Sequence, residues 1–186
     1  VLGGYAFARL RFPGRDTLFL LYLGTIMIPF VVLIMPLYQL MVVIGWTDRL
    51  AALIFPWVFT AYGTFLMRQF FLTIPRDFEV AARIDGANTL QIIGRIMAPM
   101  ALPALATVTI FTFQATWNDF LSPLIYLQRP ELYTVTLGLQ FFRSTYTTNW
   151  AYLMAASLVT TLPVIVVFFA AQRYFVEGIT MTGVKG

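Results

Sequence analysis

Ile74–Pro103 reads I-P-R-D-F-E-V-A-A-R-I-D-G-A-N-T-L-Q-I-I-G-R-I-M-A-P-M-A-L-P and is the most polar stretch of an otherwise apolar chain. Arg76, Asp77, Glu79, Arg83, Asp85 and Arg95 fall within it, and long uncharged runs flank it on both sides. A charged segment with helical spacing belongs in water, whereas its flanks are long enough to belong in lipid. The fold class follows from that contrast: an all-α, polytopic transmembrane bundle with a water-exposed loop between spans.

Composition agrees. The 186 residues are 60% hydrophobic and only 11% charged, against about 25% charged in a typical soluble domain. Mean hydropathy is +0.81. The net charge of +4 is small, and no clustered basic patch with interleaved polar residues points to nucleic acid. The chain has no Cys and no His, which excludes disulfides, thiolate or imidazole metal sites and a histidine-based triad.

The opening V-L-G-G-Y-A-F-A-R-L is apolar up to Arg9 and too short to span, and its charge follows the apolar run instead of preceding it as in a cleavable signal. Val1–Ala8 therefore reads as the end of an earlier transmembrane helix, and the chain as an N-terminally truncated piece of a longer one. Four complete spans are expected after it: Thr17–Val43, Leu50–Met67, Leu102–Leu127 and Trp150–Ala171. The first runs 27 residues without a charge. At a helical rise this is about 40 Å, longer than the hydrocarbon core. Pro29 and Pro36 lie inside it, so one tilted or kinked helix is expected. Gly45–Arg49 makes a polar turn, 128–149 a longer polar loop, and 172–186 a tail.

With loops on alternate sides, one side holds Arg9, Arg11, Arg15, Arg68, Arg76, Arg83, Arg95, Arg173 and Lys185, and the other Arg49, Arg129 and Arg143. Nine basic residues against three make the first side cytoplasmic by the positive-inside rule. The 75–99 loop and the tail then share the cytoplasmic face.

Within that loop, Pro75 suits the first turn of a helix, and Asp77 and Glu79 suit its dipole. Phe78, Ala81, Ala82 and Asp85 fall on one face, and Gly86 is a natural stop. Asn88 is placed to cap a second helix, with Leu90, Ile93 and Met97 at helical spacing up to Pro99. The pattern suits either an interfacial amphipathic loop or a docking element projecting from the bilayer.

The same residues resemble the EAA loop of the permease subunits of bacterial ABC importers, whose pattern is Glu-Ala-Ala, three residues, Gly, nine residues, then Ile-x-Leu-Pro. Ala81 and Ala82 fall on the alanines, Gly86 on the glycine, Ile96 on the isoleucine and Pro99 on the proline. A-R-I-D-G-A (82–87) is similar to the carbohydrate-type subfamily. A-F-A-R-L-R-F-P-G-R (6–15), Trp117-Asn118-Asp119-Phe120 and the stretch from Gln172 to Gly186 resemble the maltose-type second permease subunit. Val80 departs from the family glutamate and Ala98 from its leucine; Glu79 lies about 100° around a helix from position 80.

The resemblance implies a type I ABC importer permease fold forming a single, partial transmembrane domain over 1–186. It implies a cytoplasmic-membrane location in a bacterium and transport of a mono- or oligosaccharide. Coupling to ATPase subunits would run through Glu79, Ala81, Ala82, Asp85 and Gly86, with tail contacts from Gly183, Lys185 and Gly186. The implied partners are a second permease subunit, two ATP-binding cassette subunits and an extracytoplasmic sugar-binding protein. ATP and Mg would sit on the ATPases, since no G-x-x-x-x-G-K-[ST] run is present. No cofactor, metal or catalytic residue is expected on this chain.

Gln114, Trp117, Asn118 and Asp119 are the candidates for the translocation pathway. An ionisable Asp119 inside a span suggests an interior position, and an aromatic face beside amides suits a sugar; helix packing and structural hydrogen bonding compete with both. The aromatics Tyr133, Phe141, Phe142, Tyr146 and Trp150 suit either a protein contact or an interfacial belt. Two other functions stay open. One is an ABC importer for a polyamine or phosphonate. The other is an ion-coupled secondary transporter, which would carry mid-membrane acids and inverted repeats.

Overall fold

The computed structural model describes residues 1–143 and 148–183. Among them the chain is helical with no strand, apart from one isolated bridge between Arg143 and Thr148. It divides into two compact units: Val1–Ile28 with Phe59–Thr109 and Ala171–Gly186, and Pro29–Val58 with Ile110–Ala170.

In the first unit, α1 (Leu2–Arg9) packs along the partner helix α5 (Ala61–Thr73), and α2 (Arg15–Gly24) follows the Pro13-Gly14 turn. The α1–α5 contact is close because Gly4 has no side chain. A Cβ there would lie 2.5 Å from the Met67 Cβ and 3.0 Å from the Arg68 nitrogen. Small residues at a crossing are how helices associate in lipid, where the hydrophobic effect offers little between spans. Tyr5, Ala8, Met67, Phe71 and Ile74 form the core here, joined by Ala82, Ile92, Ile93, Met97 and Ala101 from the polar segment.

The second unit contains α3 (Phe30–Val43) and α4 (Ala51–Val58). Between α5 and the later helices the chain forms α6 (Asp77–Ile84), α7 (Thr89–Ile92), a π-helical turn (Ile93–Met97) and α8 (Ala98–Met100), all in the first unit. After Ala101 comes α9 (Leu102–Trp117), then α10 (Leu121–Tyr126), α11 (Val135–Gly138) and the long α12 (Trp150–Gly183). Met41, Ala52 and Tyr126 make the second unit's core.

Three expectations are corrected. Thr17–Val43 is two helices, not one kinked helix. Pro29 removes an N–H and holds Ile28 extended at ψ 116°, whereas Pro36 stays inside α3. Leu102–Leu127 is not a continuous helix, because α9 ends at Trp117 and α10 begins at Leu121. The fourth helix continues past Ala171, so the first part of the tail extends α12. Ala51–Thr73 and Trp150–Ala170 are long and apolar enough to cross a membrane; Arg15–Met27 with Phe30–Val43 and Thr89–Met100 with Leu102–Trp117 reach that length as bent pairs. Among the described residues this gives two spans, or up to four.

Candidate functional site

The polar segment folds as two helices around a glycine. α6 ends in a Schellman arrangement: the Gly86 N–H donates to Arg83 O (3.1 Å) and the Ala87 N–H to Ala82 O (2.9 Å), with Gly86 left-handed at φ +82°. Asn88 then opens α7 with a capping box, its Oδ1 accepting from the Gln91 N–H and its own N–H donating to Gln91 Oε1, both at 2.9 Å.

α6 is fixed from beneath by a buried ion pair. Arg9 Nε meets Glu79 Oε1 at 3.0 Å, with the two side chains only 5% and 11% exposed. Neither of those two atoms has a well-aligned hydrogen bond, so charge attraction holds them together. The Tyr5 hydroxyl donates to Glu79 Oε2 at 2.8 Å. Arg9 Nη2 also donates to the carbonyls of Phe71 and Ile74 at the end of α5. One guanidinium thus joins the end of α1, the end of α5 and the first turn of α6.

Glu79 therefore points into its own unit, and Ala82, one turn on, is buried beside it. The face read from the sequence as Phe78, Ala81, Ala82 and Asp85 is split: Ala82 faces the core while Phe78, Ala81 and Asp85 are exposed. The reason is that Glu79, through Arg9, sets the rotation of the helix. Val80 is 54% and Ile84 81% exposed, and both stand on the outward side with Ala81. Leu90 adds a further exposed apolar side chain from α7. No local signal linked Arg9 to Glu79, seventy positions apart. The outward Val80 and Ile84 follow once Glu79 is known to point inward.

The four pathway candidates do not converge. Gln114 lines a cavity of about 360 Å³ with Ile110, Phe113, Val164 and Phe168, between α9 and α12. Trp117 packs and anchors: its indole N–H donates to Thr160 O at 2.9 Å, and its ring stacks on Phe113 at 5.4 Å. Asn118 Nδ2 donates back to Gln114 O at 2.9 Å. Asp119 lies in the break after α9, not within a helical span, and its Oδ1 accepts the Ser122 N–H at the start of α10 (3.1 Å). This is a local side-chain-to-backbone bond at the entry to α10.

In the second unit the 45–49 turn is bound to the chain after α10. Asp48, at φ +58°, accepts the N–H groups of Gln128 and Arg129 at 3.0 Å, and its Oδ2 meets Arg129 Nε at 2.6 Å. The backbone N–H of Gln128, then that of Arg129 and the guanidinium, hold this carboxyl below the usual aspartate range. Of the loop aromatics, Tyr133 stacks on Phe141 at 5.8 Å. Tyr146 lies outside the described residues, as do Lys185 and Gly186; Gly183 ends α12.

A family model described as binding-protein-dependent transport system inner membrane component matches residues 1–181. The chain is 39% identical over 183 residues to the arabinooligosaccharides transport system permease protein AraQ of Halalkalibacterium halodurans, covering 98% of this chain and 66% of that one. It is 36% identical over 181 residues to the sn-glycerol-3-phosphate transport system permease protein UgpE of Salmonella choleraesuis, covering 96% and 64%. Among solved structures it is similar to a bacterial ABC transporter involved in import of the acidic polysaccharide alginate, with a TM-score of 0.81, 27% identity, and 93% and 66% of the two chains covered. The chain thus spans 66% and 64% of the length of these two relatives.

Proposed function

This chain belongs to the family of inner membrane components of binding-protein-dependent transport systems, and from that membership we propose that it serves as a permease subunit of an ATP-driven sugar importer. It would line half of the translocation pathway alongside a second permease subunit. Two ATP-binding cassette subunits would supply the energy, and an extracytoplasmic binding protein would deliver a mono- or oligosaccharide. The chain carries out no covalent chemistry in this account.

The observation that carries the reading is the seating of α6. A helix fixed from beneath by Arg9 and Glu79 presents Val80, Ala81 and Ile84 to the outside, as a lug that enters a cleft must. An exposed apolar row on a water-facing helix suits a protein partner. Ala81, Asp85 and Gly86 then lie at the contact with the ATPase, while Ala82 and Glu79 support it from the inner side. Gly183, Lys185 and Gly186 make the second ATPase contact. The 75–99 loop and the C-terminus are cytoplasmic, in line with the distribution of basic residues. On the pathway side Gln114 is the polar group facing a cavity, with Trp117, Asn118 and Asp119 shaping the helix end beside it.

The carbohydrate class rests on the names of AraQ and of the alginate importer. The name of UgpE favours a second reading, a phosphorylated polyol. The two are separated by ATPase measurements on the full-length permease reconstituted with its partner permease, ATPases and binding protein. Stimulation by one mono- or oligosaccharide supports the first reading. Stimulation by glycerol 3-phosphate alone supports the second, and stimulation only by a polyamine or phosphonate removes both.

A further inference from the structure

Arg11, Arg15 and Arg76 line one open cavity of about 840 Å³, together with Phe12, Pro13 and Gly14. One carboxylate, Asp16, stands on its wall, and it is already engaged. Arg15 holds both of its oxygens at 3.1 Å, and Arg68 Nη2 lies 3.4 Å from Oδ1. Among the described residues, Arg11 and Arg76 form no ion pair, and both are exposed. Two uncompensated guanidinium groups from positions 65 apart in the chain therefore share a cavity. Like charges gathered this way favour an anion between them. A purely topological role asks only for positive charge on one side of the membrane; it does not ask for these arginines to line one cavity.

The surroundings decide between a free anion and a lipid. The cavity lies at the start of α2, whose first turn has no side-chain cap and carries Asp16 as its one acidic residue. Along the same helix Leu18, Leu20 and Leu21 are exposed, the last two at 67%. In a chain built to sit in a bilayer, exposed leucines spread around a helix face acyl chains, so the cavity stands where a lipid-facing helix meets the headgroup layer. We propose that it binds the phosphate-bearing headgroup of an anionic phospholipid, with the acyl chains lying along α2. Arg76 immediately precedes α6, so the bound headgroup touches the foot of the helix assigned to ATPase coupling. Lipid composition then tunes coupling. This last step rests on the importer reading; the binding step rests on the membrane reading alone.

Two measurements test it on the full-length permease assembled with its partner permease and ATPases. The first is native mass spectrometry after mild detergent extraction, which needs neither transported solute nor ATP hydrolysis and so stands even if the solute assignment fails. The wild type is expected to retain anionic phospholipid in preference to phosphatidylcholine. R11Q/R76Q is expected to lose most of it, while R49Q, whose basic residue lies outside the cavity, retains it. Equal retention by wild type and R11Q/R76Q overturns the proposal. So does binding of inorganic phosphate by the delipidated complex that depends on Arg11 and Arg76 without any preference among lipids. The second measurement is ATPase activity in nanodiscs of phosphatidylcholine with added phosphatidylglycerol. The wild type should rise several-fold with the anionic lipid and the double variant should stay flat. Should the double variant fail to assemble, the wild-type titration still decides: no difference between the two lipids overturns the proposal.

Discussion

Arg9 is the residue on which the site depends most. Its guanidinium answers Glu79 and two backbone carbonyls at once, a set that a lysine ammonium on a flexible stem does not reproduce. Removing Glu79 leaves a buried cation without its partner, and such losses run to about 3–5 kcal/mol. Glu79→Ala should therefore lower the melting temperature of the purified permease sharply, with Arg9→Lys intermediate. Val80→Glu, by contrast, puts the family's carboxylate on an exposed position and should leave the melting temperature nearly unchanged. If Glu79→Ala melts like wild type, the clamp is not what seats α6. Gly86 is a different case. A Cβ there meets nothing within 4 Å, but φ +82° strains any L side chain. Gly86→Ala should cost about 1 kcal/mol through the backbone, read as a small melting shift.

Asp48 makes the link between the 45–49 turn and the chain after α10 sensitive to pH. Its folded carboxyl is held below the usual range by backbone N–H groups and Arg129. The stabilisation is therefore fully present above the unfolded aspartate value and is lost as the pH falls through the depressed folded value. Thermal melts between neutral pH and strongly acidic pH should show a loss of stability confined to the acid end, with a smaller acid-side slope in Asp48→Asn. An unaltered slope would remove Asp48 from the account.

At the scale of elements, much of the polar segment was legible because its signals are local. Gly86 stops α6 and Asn88 caps α7 through chemistry that spans three or four residues. The rotation of α6 was not legible, since it is set by Arg9 on a distant helix. Two prolines in one apolar run posed a similar difficulty: Pro29 breaks the helix and Pro36 remains inside one. Each lacks its own backbone N–H, so the residue type alone does not say which of the two ends a helix. Asp119, open in the sequence to either an interior or a structural hydrogen-bonding role, accepts the Ser122 N–H at the start of α10. The α1–α5 contact was hidden because glycine gives no hydrophobic signal. It carries a direct test: Gly4→Leu drives a side chain into the Met67 backbone region, where even the Cβ would stand 2.5 Å from its neighbour. Overpacking of this kind costs about 1–3 kcal/mol in ordinary cores. The variant should reach the membrane in much smaller amount than wild type, whereas Gly24→Leu, where a Cβ meets nothing, should not.

For the whole molecule, exposed apolar side chains along α3 and α12 fit a chain surrounded by lipid and partner helices, not by water. The polar resources are concentrated elsewhere: the arginines of the first unit, the Asp48–Arg129 link of the second, and the outward face of α6. Composition and hydropathy made the membrane class legible from the start, and the loop spacing made the family legible. We propose that α6 transmits the ATPase cycle through its outward apolar row. Wild type and Ile84→Asp, compared in the complete, reconstituted importer with ATPase-subunit binding and substrate-stimulated ATP hydrolysis read together, test that role. Ile84 is 81% exposed, so the permease should fold and insert normally, while ATPase binding and stimulation fall severely. Wild-type binding and stimulation in Ile84→Asp would contradict the account.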